Sequence, residues 1–407
     1  MTSQGGRGYS RPAILIVFLC VAASTAATGI LQLLYSPYLS GYGYTLSSIG
    51  GLFSLLSVFR LVSRVPTGVA YHARHAGLQI VIALAALGLA TSGFALARGN
   101  PFAITLLTAG QGLAFGAMET LLFATIIDLT GGRHAGAVMG WFTAAISTGY
   151  MLGGFGGGWL GDSFGTERAF AIAGSLPLAG GLLAFALPKM TEPTRRAERV
   201  ASARDFLAAV LRLDTRVWLA FTIVLYINAL HDGVDSFFPL FGPTVGLSLA
   251  AVGALKGIKP AAATVIRFVS GAIFYVLDYR STNVWAIIIA AAATVVMPWV
   301  SGFPAFAALF LVGGLTRGIL RVTSAIAIAE LRSEGKDVGL ASGVYSAGLD
   351  LGGIIGPAVG GIVATAFGIP VMFQVLAVGC LAGYFAVALS SAAGRASLRL
   401  SCWQSRP

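Results

Sequence analysis

Apolar segments long enough to cross a bilayer recur from one end of this 407-residue chain to the other. A helix needs about 20 such residues to span a hydrocarbon core of about 30 Å. Twelve segments qualify: 13–35, 46–68, 78–97, 101–127, 136–160, 168–188, 216–241, 248–272, 283–301, 304–329, 339–364 and 370–392. They predict an all-α membrane protein with twelve transmembrane helices. Membrane strands are about half as long and alternate apolar with polar residues, which runs such as Ala13 to Cys20 and Ile287 to Val296 do not. Composition agrees, because only 10% of residues are charged where soluble domains carry about 25%. A cleaved secretory signal is set aside for the first segment, since its apolar run continues past the small residues Ala22 and Ala26 to Tyr35.

One sizeable polar stretch interrupts the pattern. Residues 189–215 are rich in Lys and Arg and have six segments on each side, so they read as a loop between an N-terminal half, 1–188, and a C-terminal half, 216–392, with a tail at 393–407. Within the loop, Ala203 to Leu213 has apolar residues at helical spacing and is expected to lie along the membrane surface. Shifting the chain by 202 or 203 positions aligns the halves. Arg64 and Gly68 fall on Arg267 and Gly271, and Gly149, Gly153, Gly157 and Gly158 fall on Gly352, Gly356, Gly360 and Gly361. Asp128, closing the fourth segment, meets Glu330, closing the tenth. The expected architecture is therefore two pseudo-symmetric six-helix halves, with glycines letting the helices approach closely.

These features resemble the major facilitator superfamily over essentially the whole chain. The stretch Gly68-Val-Ala-Tyr-His-Ala-Arg74-His75 looks like the family's signature loop, with His72 where an aspartate is usual. Gly110-Gln111-Gly112 resembles its Gln-Gly motif, with Thr108 in the place of a common arginine, and Asp128 with Arg133, Gly136 and Gly140 fits the connection between the fourth and fifth segments. The resemblance implies secondary transport: two halves rocking around a midplane site that opens alternately to each side. It also assigns Arg64, Gly68, Asp128, Arg133, Arg267 and Glu330 to a cytoplasmic gate.

Lys and Arg placement orients the chain. With a cytoplasmic N-terminus, 19 of the 26 basic residues lie inside and only Arg98 and Arg168 fall on outer loops, as the positive-inside rule requires. Both termini are then cytoplasmic and the protein is a multi-pass protein of the cell (inner) membrane. The net charge of +11 is thus mostly a topology signal and gives no reason to invoke nucleic acid.

Five basic residues remain inside apolar segments: Arg60, Lys256, Lys259, Arg317 and Arg321. Four acids share the membrane: Glu119, Asp232, Asp235 and Asp350. Charges at this depth are paired or line a water-filled cavity, and they mark functional paths. Two readings compete. In the structural one, Glu119 neutralises a base such as Arg321, and Asp350 pairs with Arg317 or a lysine. In the functional one, Lys256, Lys259, Arg317 and Arg321 form a basic wall for an anionic group while an acid carries a proton. The seventh segment adds Asn228 and His231, each four residues before an aspartate, Asp232 and Asp235. Proton-coupling candidates are Asp232 first, then Glu119, His231 and Asp350, because imidazoles and desolvated carboxylates titrate near neutrality. Asp235, near the outer end, has solvation as its plain alternative. Substrate-binding candidates are Arg317, Arg321, Lys256, Lys259, Arg60 and Asn228.

Other chemistries fall away. No Gly-x4-Gly-Lys-Ser/Thr loop is present for ATP. Cys20, Cys380 and Cys402 lack metal spacing, and no cofactor, metal or enzymatic constellation is expected. The reading is a proton-coupled secondary transporter of a small organic solute, acting as a monomer with the solute, protons and the bilayer as partners. Efflux of drug-like or secondary metabolites is preferred, on Gly356-Pro357-x-x-Gly360-Gly361 in the eleventh segment, although Gly154 replaces the proline of the matching motif in the fifth. Uptake of an anionic metabolite is the alternative, and a non-transporting receptor or assembly factor on this scaffold the remote one.

Overall fold

A computed structural model describes residues 11–130, 135–188, 213–276, 278–333 and 338–390. Twelve long helices and no strand occur among them: α1 (Arg11–Gly41), α2 (Leu46–Ala70), α3 (Ala76–Ala97), α4 (Pro101–Thr130), α5 (Ala135–Phe164), α6 (Thr166–Ala184), α7 (Thr215–Thr244), α8 (Leu249–Val276), α9 (Tyr279–Val296), α10 (Phe303–Ser333), α11 (Val338–Phe367) and α12 (Ile369–Ser390). Ten of them contain a stretch long and apolar enough to cross a membrane, and the chain is a multi-pass integral membrane protein. The twelve expected apolar spans are not all met. α5 gives much of its length to glycine, and α6 has 19 residues that open on Glu167 and Arg168. Boundaries also move. The helix α1 outruns the 13–35 expectation at both ends, and α9 starts earlier than 283 because Asp278 caps it, accepting from Ser281 N at 3.0 Å. It ends earlier too, in a short 3-10 turn at Met297–Trp299. The basic loop, the Ala203 to Leu213 surface helix up to residue 212, Arg133 and the tail from 391 onward lie outside the described residues.

Six tight connections, α1–α2, α3–α4, α5–α6, α7–α8, α9–α10 and α11–α12, share one end of the bundle. Each contains a left-handed glycine: Gly43, Gly99, Gly165, Gly246, Gly302 and Gly368. A side chain at such a φ is strained, so these turns need glycine. Each of the last three follows its counterpart by 203 residues. This is the tight-turn end; the opposite one, where the described chain begins and stops, is the terminal end.

α1 packs on α5 and α6, α2 on α4, and α3 on α4 and α6, while α7 packs on α10, α11 and α12, and α8 on α10. Two seams, α5–α8 and α2–α11, join these sets. Both are glycine contacts. A Cβ on Gly154 would sit 2.8 Å from Gly257 N, and one on Gly361 2.7 Å from Leu46 O; nothing larger fits, which is how small residues bring backbones together in a membrane. At the tight-turn end the seams carry matching cross-caps. Asp162 of α5 accepts from Ala250 N in the first turn of α8 at 2.8 Å, and Thr365 of α11 accepts from Ser47 N in the first turn of α2 at 2.8 Å. Each start also has its own cap: Ser248 accepts from Ala251 N, and Thr45 from Ser48 N. Helix starts leave four orphan N–H groups, and here a neighbouring helix satisfies one.

Aromatic clusters fill the interior. Tyr35 meets Phe53 and Phe94 edge-on, and Phe238 meets Phe306 and Phe310. Large apolar side chains such as Val69, Leu96, Phe102 and Leu182 lie on the outer surface, where lipid replaces water as their solvent.

Candidate functional site

Two clusters of opposite charges sit between the helices. The first is built on α2, where Arg60 and Arg64, four residues apart, share a face. Arg60 Nη2 donates to Glu119 Oε2 of α4 at 3.0 Å, and Arg64 Nη2 donates to the same oxygen at 2.9 Å. Both also reach across the seam to Asp350 of α11: Arg64 Nε lies 3.1 Å from Asp350 Oδ2, close enough for an ion pair but not aligned as a hydrogen bond, and Arg60 Nε lies 3.9 Å from Oδ1. Asp350 is almost fully buried, its side chain 4% exposed. Arg60 also stacks over the Phe115 ring at 4.8 Å.

This pairing corrects the expectation that Glu119 neutralises Arg321 and that Asp350 pairs with Arg317 or a lysine. The cause is helix placement. Gly112 and Gly116 seat α4 directly against the Arg60 turn of α2, so the α2 guanidiniums reach Glu119 first. Arg64, expected at a cytoplasmic gate, lies within α2, which continues to Ala70, and its guanidinium joins this cluster.

The second cluster lies among α7, α8 and α10. Lys259 Nζ donates to Asp235 Oδ1 at 2.5 Å; Arg317 Nη1 lies 3.8 Å from Asp235 Oδ2, and its Nη2 donates to Asp232 Oδ1 at 3.4 Å. Asn228 donates to Leu349 O at 2.7 Å and accepts from Arg317 at 3.5 Å, so it holds α11 and orients the guanidinium. Asp235 is therefore bound within the protein rather than simply solvated. Lys256 Nζ donates to the backbone oxygens of Gln32 and Asp235, each at 3.0 Å. The basic wall expected of Lys256, Lys259, Arg317 and Arg321 is thus half neutralised, since Lys259 and Arg317 are paired. His231 is buried beside these groups with no hydrogen-bond partner for Nε2.

Arg321 lies beyond ion-pair distance of both clusters, though within electrostatic reach of Glu119, Asp232 and Asp350. Its Nε is buried without a hydrogen-bond partner, and no carboxylate among the described residues pairs with it. Near it Arg267 of α8 donates to Ser147 of α5 at 2.8 Å, and Ser324 shares a hydrogen bond with Tyr345 of α11 at 3.2 Å. Tyr150 of α5 lies within electrostatic reach of Arg60 and Glu119 in one cluster and of Asp232 and Arg317 in the other. Ser147, Tyr150 and Tyr345 escaped the sequence reading because a lone hydroxyl in a glycine-rich helix carries no spacing signal.

Among the expected gate residues, Asp128 accepts from Tyr71 at 2.8 Å, and Gly68 faces Thr120 with room for a Cβ. The His72 backbone N–H donates to Gln79, whose amide donates to Ala70 O, so a glutamine closes this loop. The Glu330 side chain and Arg133 lie outside the described residues. Thr108, standing where an arginine is common, bonds Tyr35, while Gln111 accepts from Thr91 at 3.0 Å. Among the described residues no group of three His, Cys, Asp or Glu forms a metal site.

Comparisons with known proteins come to one answer. The model of the Major Facilitator Superfamily matches residues 17–303 and 276–397. Among solved structures, the nucleoside transporter NupG is similar at a TM-score of 0.72 and 15% identity, covering 93% of this chain and 98% of its own. A bacterial homologue of the human lysosomal transporter Spinster, in an inward-facing and occupied conformation, is similar at a TM-score of 0.72 and 13% identity, covering 99% of this chain and 100% of its own. No curated protein sequence matches. At such identities the structural likeness speaks to the fold alone.

Proposed function

The chain belongs to the major facilitator superfamily of small-solute transporters and is not an enzyme; on that premise we propose a proton-coupled secondary active transporter of a small organic solute. Its twelve helices form two six-helix halves, α1–α6 and α7–α12, that rock about the α2–α11 and α5–α8 seams. Supporting the halves are the left-handed glycines repeating at 203 residues and the paired cross-caps. The observation that carries alternating access is the Arg60–Arg64 pair, shared between Glu119 in its own half and Asp350 in the other. Rocking separates α2 from α11 and breaks the Asp350 contacts while Glu119 keeps hold of both guanidiniums, leaving one net positive charge there for water to solvate.

Asp232 is the coupling carboxylate. It has one cationic partner, Arg317 at 3.4 Å, where Asp235 has both Lys259 and Arg317, and its side chain is 35% exposed against 22% for Asp235. A proton on Asp232 loosens Arg317, whose remaining partners are Asp235 and Asn228. Glu119, held by two guanidiniums, serves the halves' interface rather than the proton, and Asp350 is the group whose partners change. The Gly356-Pro357 motif of α11, seated against Gly50 of α2, supports export as the direction. The basic residues left over by the clusters favour a second reading, uptake of an anion with protons. Charge asymmetry supports cytoplasmic termini in the cell membrane, and a functional monomer is part of the same proposal.

Proteoliposomes with an imposed pH gradient test the proposal, with anionic, cationic and neutral solutes in turn. Gradient-driven movement is expected, and Asp232→Asn should abolish the drive while counterflow continues. Movement by Asp232→Asn that still follows the gradient retires the coupling role; no movement of any solute retires transport.

A further inference from the structure

The two clusters consume four basic residues and all four interior carboxylates. Lys256 and Arg321 have no carboxylate at ion-pair distance among the described residues. Lys256 is held by two backbone oxygens, and Arg267 donates to Ser147. Arg321 has neither a carboxylate nor a hydrogen bond on its Nε. It lies one turn beyond Arg317 on α10, with Tyr345, Arg317, Arg60 and Arg267 within electrostatic reach and Asp232, already taken by Arg317, as the nearby carboxylate. Arg321 and Arg267 thus flank the Tyr345 phenol, with Arg317 one turn away, on the terminal side of the second cluster. A charge taken out of water without a partner costs several kcal/mol, and like charges nearby add to that cost. A protein bearing such a group is relieved of the cost when a ligand of opposite sign arrives.

Resting on the transport reading above, we infer that the solute is an organic anion whose carboxylate or phosphate head binds Arg321. The planar guanidinium presents a fork that matches two oxyanion oxygens. Arg267 flanks it from α8, and the Tyr345 hydroxyl, shared with Ser324, supplies a further donor from α11. The solute's body extends toward Tyr150 and the first cluster. An anion there touches α8, α10 and α11 together and faces α5 through Ser147, so its arrival bears on the α5–α8 seam.

The test uses the purified full chain in detergent, with benzoate and phenyl phosphate as anionic probes and benzamide as the neutral counterpart, at fixed ionic strength. The melting midpoint should rise with the anions and not with benzamide. Arg321→Gln should lose that rise, yet without ligand it should melt no lower than the wild type, because an unpaired charge has been removed. Arg321→Lys keeps the charge and loses the fork, and should bind about tenfold more weakly. The inference is overturned if Arg321→Gln melts lower without ligand, since the charge is then structural. Equal protection of Arg321→Gln by the anions, or protection by neither anion, overturns it as well. Counterflow in proteoliposomes separates the two levels: neutral-solute transport indifferent to Arg321→Gln leaves transport standing and removes the anion, whereas anion binding without any transport does the reverse.

Discussion

Removing the Asp162 carboxylate should loosen the tight-turn end. In Asp162→Ala the first turn of α8 loses the acceptor that Ala250 N meets at 2.8 Å. Losing a helix cap costs about 0.5–2 kcal/mol, and losing an anion from a helix N-terminus about 0.3–1 kcal/mol. Asp162 is exposed, so screening trims the second contribution, and Ser248 still caps the same turn. About 1 kcal/mol is left, all of it belonging to the state in which α5 and α8 touch. The equilibrium should move about fivefold toward opening at this end. Ser54 provides the readout, because its hydroxyl donates to Ile354 O at 2.7 Å on the other seam. With Cys20, Cys380 and Cys402 replaced, Ser54→Cys should react with a small polar thiol reagent about fivefold faster once Asp162→Ala is added. Asp162→Asn, which keeps an acceptor without the charge, should fall between the two. An unchanged rate in a fully folded Asp162→Ala protein would falsify the idea that the cross-cap holds this end closed.

Gly361→Val places a branched side chain where even a Cβ lies 2.7 Å from Leu46 O; it should raise Ser54→Cys labelling further than Asp162→Ala does, and a slower rate would mean that the seam repacks. Asp350→Asn leaves Arg60 and Arg64 with Glu119 as their remaining carboxylate, and should lower stability by about 3 kcal/mol. Adding Arg64→Gln should restore at least half of that in thermal unfolding; strict additivity of the two losses would disprove the pairing. At the tight-turn end, outside the helices, the Tyr42 phenol is pushed up to about 12 by donating to the Glu167 carboxylate at 2.6 Å. The phenol stays neutral, so the bond contributes below the ordinary value near 10 and is lost as pH rises through about 12. The absorbance titration of wild type minus Tyr42→Phe should show that late step, and Glu167→Gln should bring it back toward 10.

Much of the helical layout was legible because apolar length and glycine punctuation are local properties. Arg60 and Arg64, four apart on one helix, were legible as charges but not as a pair, since Arg64, near the end of the 46–68 segment, was assigned to a gate and Arg60 to the substrate. Glu119 and Asp350 were found while their partners were mistaken. Which guanidinium reaches a carboxylate depends on how closely helices approach, and that distance is set by Gly112, Gly116, Gly50 and Gly361 acting across segments far apart in sequence. Arg321 was read as one member of a basic wall. Its isolation became visible only when Lys259 and Arg317 were seen to be taken by Asp235 and Asp232.

The two clusters each hold two cations and two carboxylates, so each sums to zero charge. A membrane voltage acts on net charge, at about 2.3 kcal/mol per elementary charge per 100 mV, and it gains little purchase on the second cluster, which lies on α7, α8 and α10; the first divides when α2 leaves α11, into a positive part with Glu119 and a negative Asp350. The resting potential therefore acts on the rocking through the divided first cluster and through Lys256 and Arg321, but these charges return to their places at the end of each turn. Electrical current through this protein is then a direct count of cargo and protons per turn, and a silent cycle means that their charges cancel.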